Sequence, residues 1–205
     1  MRITKLMIFA VFIFYSESLL AAKFLPAKLI FTDGKELKGL ATAPNQANDK
    51  TIAFKENEKG EKQTFKSEQL KMIVLYFDDE TVELERVKYY NMTGKKIVAD
   101  AAWLQVLERG HVTLYYYGNS GKTVSYGAVT RTQLPERWWL CIRPGEEAAK
   151  IVSYAFGMNP NTFFRQNAPK YFSNHPTIPG KITNKEYKFD DIVAVVKEYN
   201  GWKGE

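Results

Sequence analysis

Apolar and polar residues alternate in short runs along the middle of the chain, with Gly, Asp, Asn and Pro between them. This two-residue period is the signature of strands that bury one face. Lys28–Thr32 reads as a strand, and Asp33-Gly34 is a hairpin signal that returns the chain through Glu36–Thr42. Gly39 falls inside that return strand and predicts a bend or bulge. Thr51–Lys55 and Lys62–Lys66 follow as strands around the Glu58–Glu61 turn. Ser67–Leu70 predicts one helical turn, and Met72–Phe77 a strongly apolar fifth strand. Five short strands with one turn before the last predict a small barrel-like unit.

After the acidic turn Asp78-Asp79-Glu80, a second antiparallel run is predicted. Its strands are Thr81–Tyr89, Trp103–Leu107, His111–Tyr117, Lys122–Val129 and Trp138–Ile142, with Gly118–Gly121 as a turn. In His111–Tyr117, Val112, Leu114 and Tyr116 share one face; Thr113, Tyr115 and Tyr117 share the other. One face packs, which makes Tyr115 and Tyr117 the candidate binding residues, a tyrosine platform. The competing expectation for the same two residues is a second packed layer built from cross-strand aromatic pairs.

The period changes at the C-terminus. Pro144–Phe156 predicts a helix, with acids at its start, apolar Ala148, Ile151, Val152 and Ala155 at helical spacing, and Gly157 as its stop. Asn159-Pro160 starts a second helix, which Pro169 and Pro176 break into short pieces. Asp190 or Asp191 caps a last helix striped by Ile192, Val195, Val196 and Tyr199 and ended by Asn200-Gly201. That stripe needs a surface to cover. The predicted fold is α+β and antiparallel β-rich: a small N-terminal barrel-like unit (23–80), a β-meander (81–143) and a helical segment (144–205) packed on them.

Residues 1–22 follow a different rule. Arg2 and Lys5 precede the apolar Leu6–Tyr15, then Ser16-Glu17-Ser18 and the small pair Ala21-Ala22. This is the order of a secretory signal peptide. The apolar run is half the ~20 residues of a spanning helix, and Glu17 interrupts its continuation. The expected location is periplasmic or extracellular, with membrane contact only through the signal before cleavage near Ala21 or Ala22. No Cys stands near the cut for a lipid anchor.

Composition changes this picture little. The chain is 205 residues with 45% hydrophobic, 25% charged and 14% aromatic residues, an ordinary globular balance enriched in Phe and Tyr. Its net charge is +6, and after the leader 27 basic and 22 acidic residues remain, scattered along the chain. That spread reads as a solvated surface, and nucleic acid is not an expected partner. The single cysteine, Cys141, lies in the apolar run Trp138–Ile142 and reads as a buried small hydrophobe. It cannot form an intramolecular disulfide, so the exported fold must stand on its core.

Catalytic patterns are sparse. The two histidines, His111 and His175, have no Cys-His spacing for zinc, and no Gly-x-Ser-x-Gly elbow is present. A dyad of Cys141 with either histidine is disfavoured, because a thiol on an apolar strand is hard to ionise. Asp78-Asp79-Glu80 lacks the spaced ligands and glycine of a calcium loop. No catalytic residue, metal site or cofactor is assigned. A carboxylate pair for glycoside hydrolysis is left open, since tertiary proximity is invisible in sequence.

Thr32-Asp33-Gly34 with Gly39-Leu40 resembles the opening strands of Sm-like and SH3-like barrels, without the RNA-contacting loop of Sm proteins. More of the chain resembles a group of uncharacterised secreted proteins common in Bacteroidetes-type bacteria. The resemblance rests on the Asp-Gly hairpin with Thr64-Phe65 and Glu68-Gln69-Leu70, and on Trp103–Gly110 leading into Val112–Tyr117. It extends to Tyr171–Pro176 with Ile182–Tyr187 and Tyr199-Asn200. This sequence carries His175 where many of the group carry Cys. The resemblance implies secretion and transfers no functional residue. Together these readings predict an exported cell-envelope binding or structural module, uncertain as an enzyme and more consistent with none, with an envelope glycan or protein as partner. The alternative is a small secreted hydrolase or inhibitor.

Overall fold

The structure is a computed structural model that describes residues 23–119, 121–126, 129–133, 135–156 and 159–204. The export signal at 1–22, Ser120 of the expected Gly118–Gly121 turn and the expected helix stop at Gly157 lie outside the described residues.

Among the described residues, twelve strands and three helices form an α+β, β-rich fold. The strands are β1 (Phe24–Phe31), β2 (Glu36–Thr42), β3 (Thr51–Lys55), β4 (Gln63–Lys66), β5 (Leu70–Tyr76) and β6 (Thr81–Val87). β7 (Ala102–Glu108), β8 (Thr113–Asn119), β9 (Lys122–Tyr126), β10 (Val129–Gln133), β11 (Glu136–Ile142) and β12 (Lys150–Ala155) follow. The helices are α1 (Pro160–Tyr171), α2 (Ile178–Thr183) and α3 (Ile192–Gly204). Ten strands make one antiparallel sheet in the order β12-β11-β8-β7-β6-β5-β1-β2-β3-β4, and β9 and β10 form a separate hairpin.

The first five strands curl around their own core. Ala27, Leu29 and Phe31 of β1, Ile52 and Phe54 of β3, and Ile73 and Leu75 of β5 occupy alternate positions and are buried together. The Phe31 and Phe65 rings meet edge to face at 5.1 Å, although β1 and β4 are separated by two strands. Only strong coiling of the sheet allows that contact. Gly39 permits it locally: a Cβ there would stand 2.3 Å from the Lys55 carbonyl oxygen and 2.7 Å from the Phe54 ring. The turn Ser67–Gln69 is 3₁₀, as one helical turn was expected, and buried Ser67 accepts the Trp103 indole N–H at 3.1 Å.

Beyond β6 the sheet has two differently covered faces. Leu114, Trp139, Cys141 and Val152 look toward the helices, where Phe164, Phe172, Ile182, Val195, Val196 and Tyr199 close the core. Ile192, Val195, Val196 and Tyr199 are buried, as the apolar stripe requires. Leu104, Tyr115, Leu140 and Ile151 occupy the opposite face.

Several elements differ from the periodicity reading. Residues 150–155 form strand β12, not part of a helix. Ile151 and Val152 are buried on opposite faces, and Ser153, polar and off the helical stripe, is fully buried opposite Trp139. Pairing along β11 and two-sided burial override the local helical spacing. Pro169 does not break α1, because Phe164, Ala168 and Tyr171 anchor the inner face through the last turn. Of the expected strand Lys122–Val129, Lys122–Tyr126 is β9 and Val129 opens β10, while 127–128 lie outside the described residues; Gly118 and Asn119 belong to β8, paired with Arg137 and Glu136. β1 begins earlier, at Phe24, and includes Pro26, one residue outside the β1–β5 ladder.

Asn200-Gly201 does not end α3 either. Asn200 lies within the helix and clamps the start of β8: its Oδ1 accepts the Val112 N–H at 2.7 Å and its Nδ2 donates to the Val112 carbonyl at 2.9 Å. Gly110 makes room, since a Cβ there would stand 2.4 Å from the Asn200 amide. Val112 is fully buried, so both backbone groups would lose their partner together. Asn200→Ala should therefore destabilise the protein by about 2–4 kcal/mol in urea unfolding. An effect within ~0.5 kcal/mol of zero would show the clamp to be dispensable.

Candidate functional site

The register of three strands builds an aromatic row on the face opposite α3. Tyr117 of β8 pairs with Trp138 of β11, which pairs with Tyr154 of β12. The ring centroids are 5.4 Å apart for Tyr117–Trp138 and 6.3 Å for Trp138–Tyr154. Tyr89 adds a ring 5.6 Å from Trp138. Phe156 stacks on Tyr154 at 6.1 Å, and Phe163, reaching round from α1, tilts against it at 5.8 Å. Such pairs add roughly 0.5–1.5 kcal/mol each beyond area burial.

Exposure increases along these strands. Tyr115, Leu140 and Ile151 form the buried row; the half-buried Tyr117 and Trp138 lie two residues along their strands and Tyr154 three along β12. Phe156, the residue after β12, is 39% exposed. A bulge between Trp139 and Leu140 in the β11–β12 pairing brings Tyr154 opposite Trp138. The Tyr154 hydroxyl donates to Glu136 at 2.9 Å. Burial first, and then this carboxylate, push its pKa up to about 12, so the phenol stays protonated and neutral.

Between β12 and α1 the row opens into a cleft of about 160 Å³, lined by Tyr154, Asn159, Thr162, Phe163 and Gln166. Asn159 caps α1 by accepting the Asn161 N–H at 3.0 Å. Thr162 and Gln166 are exposed on the first turns of α1. A second depression of about 300 Å³ lies on the curled half, among Phe24, Pro26, Leu40, Lys55 and Glu58. There the Lys55 ammonium sits 5.0 Å from the Phe24 ring.

The two tyrosines singled out by alternation part company. Tyr115 is only 5% exposed, and its hydroxyl donates to Glu85, which with Glu83 is held by Arg109. Burial, then Glu85, raise its pKa, and its hydroxyl is already committed. Tyr117 belongs to the half-buried row, as one member of a cross-strand pair with Trp138. Trp138, Tyr154, Phe156, Phe163 and Glu136 were not identified as site residues. Only the alternation of Trp138 with Leu140 and Ile142 hinted that Trp138 faces away from Trp139.

A second polar cluster joins the sheet to the helices. The Arg143 guanidinium lies 4.0 Å from the Tyr171 ring centroid and 5.3 Å from that of Tyr199. It donates to the Tyr171 carbonyl oxygen and, at 3.2 Å, to the Tyr199 hydroxyl. Asn174 reaches the same hydroxyl at 2.9 Å, and the Tyr171 hydroxyl donates to Glu146 at 2.8 Å. Burial opposes ionisation of Glu146, but the Arg143 N–H, Lys150 and Tyr171 outweigh it and hold its pKa below the usual carboxylate value. These groups satisfy one another, so the cluster reads as a latch.

Cys141 is fully buried, and burial pushes its thiol well above the ordinary value. His111 is exposed beside Tyr199, at 6.2 Å between ring centroids. His175 is 6% exposed, its Nδ1 accepting the N–H groups of Thr177 and Ile178 at 3.2 and 3.1 Å, with Trp202 edge-on at 4.8 Å. Among the described residues, no three His, Cys, Asp or Glu side chains converge to hold a metal ion, and no helix is long and apolar enough to cross a membrane. No family model, curated protein or solved structure matches the chain.

Two outcomes follow from these environments. Cys141 should resist a thiol-modifying reagent in the native protein and react stoichiometrically once unfolded; labelling at native conditions would show that the strand opens. Burial lowers the His175 pKa, and Nδ1 is needed as an acceptor. The unfolded chain therefore binds the proton first as pH falls through about 6.5. Stability should be full above that pH and decline below it toward the lowered folded value. His175→Asn, which retains an acceptor without a titrating group, should flatten the decline below about pH 6.5 in denaturant titrations.

Proposed function

We propose that this protein is an exported binding module of the cell envelope, and that it recognises its ligand through the aromatic row Tyr117–Trp138–Tyr154 and its exposed extension at Phe156. The basic, apolar and small-residue order of residues 1–22 supports export. The observation that carries the binding reading is the row itself: rings tilted against one another in register across three strands, half-buried on the face that α3 leaves uncovered.

Aromatic rings on a rigid sheet present large contact area at little entropic cost to binding. The polar groups at the row's edge favour recognition over general stickiness. Glu136 accepts from Tyr154, and Thr162 and Gln166 project from α1 beside it. The Arg143 latch and buried Cys141 have their chemistry consumed by packing and hydrogen bonds, which disfavours a hydrolytic centre there.

Thermal-shift screening of the mature chain against soluble glycans, peptidoglycan fragments and envelope-protein extracts tests this reading. A true ligand at a hundredfold excess over Kd should stabilise the protein by about 2.7 kcal/mol, or roughly 5–10 °C. Phe156→Ala should lower that shift while leaving the unliganded Tm within a degree or two, because this ring is substantially exposed. No stabilisation by any member, together with hydrolytic turnover of one, would overturn the proposal.

A further inference from the structure

We infer that the cleft between β12 and α1 takes one neutral pyranose ring of an oligosaccharide, stacked against Tyr154 and Phe163 and hydrogen-bonded by Gln166 and Thr162. This rests on the binding-module reading and names the ligand class for its site.

The lining decides the chemistry. Among the described residues its lining is Tyr154, Asn159, Thr162, Phe163 and Gln166, which bring two aromatic rings, two amides and a hydroxyl and no charged group. A pyranose has the matching duality: a C–H face that lies on a ring, and an equator of hydroxyls that seek donors and acceptors. The Tyr154 phenol stays neutral, and its proton is directed to Glu136, which leaves its ring as the contact surface. Glu136 retains lone pairs that can accept from sugar hydroxyls. With a carboxylate at the margin and no cation among the described lining residues, an anionic sugar is disfavoured.

Size points the same way. About 160 Å³ is well under the ~300–1,000 Å³ of sites that engulf a whole small ligand. The cleft instead suits one ring of a chain whose remaining units run along the exposed Phe156 and the aromatic row. A proline-rich peptide could also lie on aromatic rings. It would use few of the amide and hydroxyl groups gathered here, whereas each sugar hydroxyl is both donor and acceptor.

The test titrates the mature chain by calorimetry with maltohexaose, cellohexaose, laminarihexaose and hexa-N-acetylchitohexaose, with polygalacturonate as the anionic control and a proline-rich decapeptide as the competing class. At least one neutral hexasaccharide should bind, and polygalacturonate should not. Tyr154→Ala should weaken binding about tenfold and Gln166→Ala about fivefold, while Tyr154→Phe, which keeps the ring, should stay within about twofold. Gln166 is exposed on a helix, so its variant tests the site even if Tyr154→Ala fails to fold.

A hexasaccharide that binds wild type and Gln166→Ala equally would overturn this site while leaving the module reading intact. Tyr154-dependent binding of the peptide, with every hexasaccharide silent, would overturn the ligand class and keep the aromatic surface. Silence from all probes here and throughout the thermal-shift panel would remove both readings.

Discussion

An open sheet must dispose of two edges, and the architecture follows from how this one does so. A bare edge offers unpaired N–H and C=O groups to any passing strand. At one end the sheet finishes in β4, only four residues long, preceded by Lys62 and ending in Lys66. At the other, β12 is covered by α1. That helix straddles the edge: Phe164 and Ala168 enter the core under the helices, while Phe163 reaches the opposite face. The cleft at Tyr154 is the seam this arrangement leaves. A protecting element and a candidate recognition site thus come from one packing event.

The helical layer has to be fixed in position for that seam to keep its shape. Apolar burial holds it, but burial alone specifies position poorly. Directional contacts supply the rest. Arg143, just after β11, binds the end of α1 through the Tyr171 carbonyl oxygen and α3 through the Tyr199 hydroxyl. Asn200 binds both backbone groups of Val112 from the far end of α3. His175 accepts the first N–H groups of α2 while packed on Trp202 of α3. Each contact lies in or beside a buried region where an unmet partner is costly. With one cysteine in the chain, this network takes the cross-linking role that disulfides fill in many small domains.

Legibility from sequence followed how one-sided each element is. β2 and β3 are found at their expected bounds, because Asp33-Gly34 sets the first hairpin and polar loops flank the alternating residues. The α3 stripe was equally legible, since one face is buried and the other solvated. β12 was not. Ala148, Ile151, Val152 and Ala155 are all buried, as a helix would have them, but neighbours on both faces of the sheet do the burying. Two-sided burial erases the alternation that identifies a strand. Asn200 shows the converse: a polar residue followed by glycine reads as a stop until the backbone it satisfies is known.

The aromatic row was less legible for a related reason. Alternation sorts residues onto faces, and Tyr115 and Tyr117 do share one. It does not say how deep each lies, which depends on distance along the strand from the covered centre. It also cannot pair Tyr117 with Trp138, or Trp138 with Tyr154, because register across β8, β11 and β12 is a tertiary property. The bulge at Trp139/Leu140 makes this sharper, since without the extra residue Tyr154 would face the helices and the row would end at Trp138. A one-residue irregularity in an edge strand therefore decides whether this face ends in a cleft, and its rings are held by sheet hydrogen bonds and a packed helix. Such preorganisation lowers the ordering cost of binding, which matters most for a ligand that offers one ring at a time.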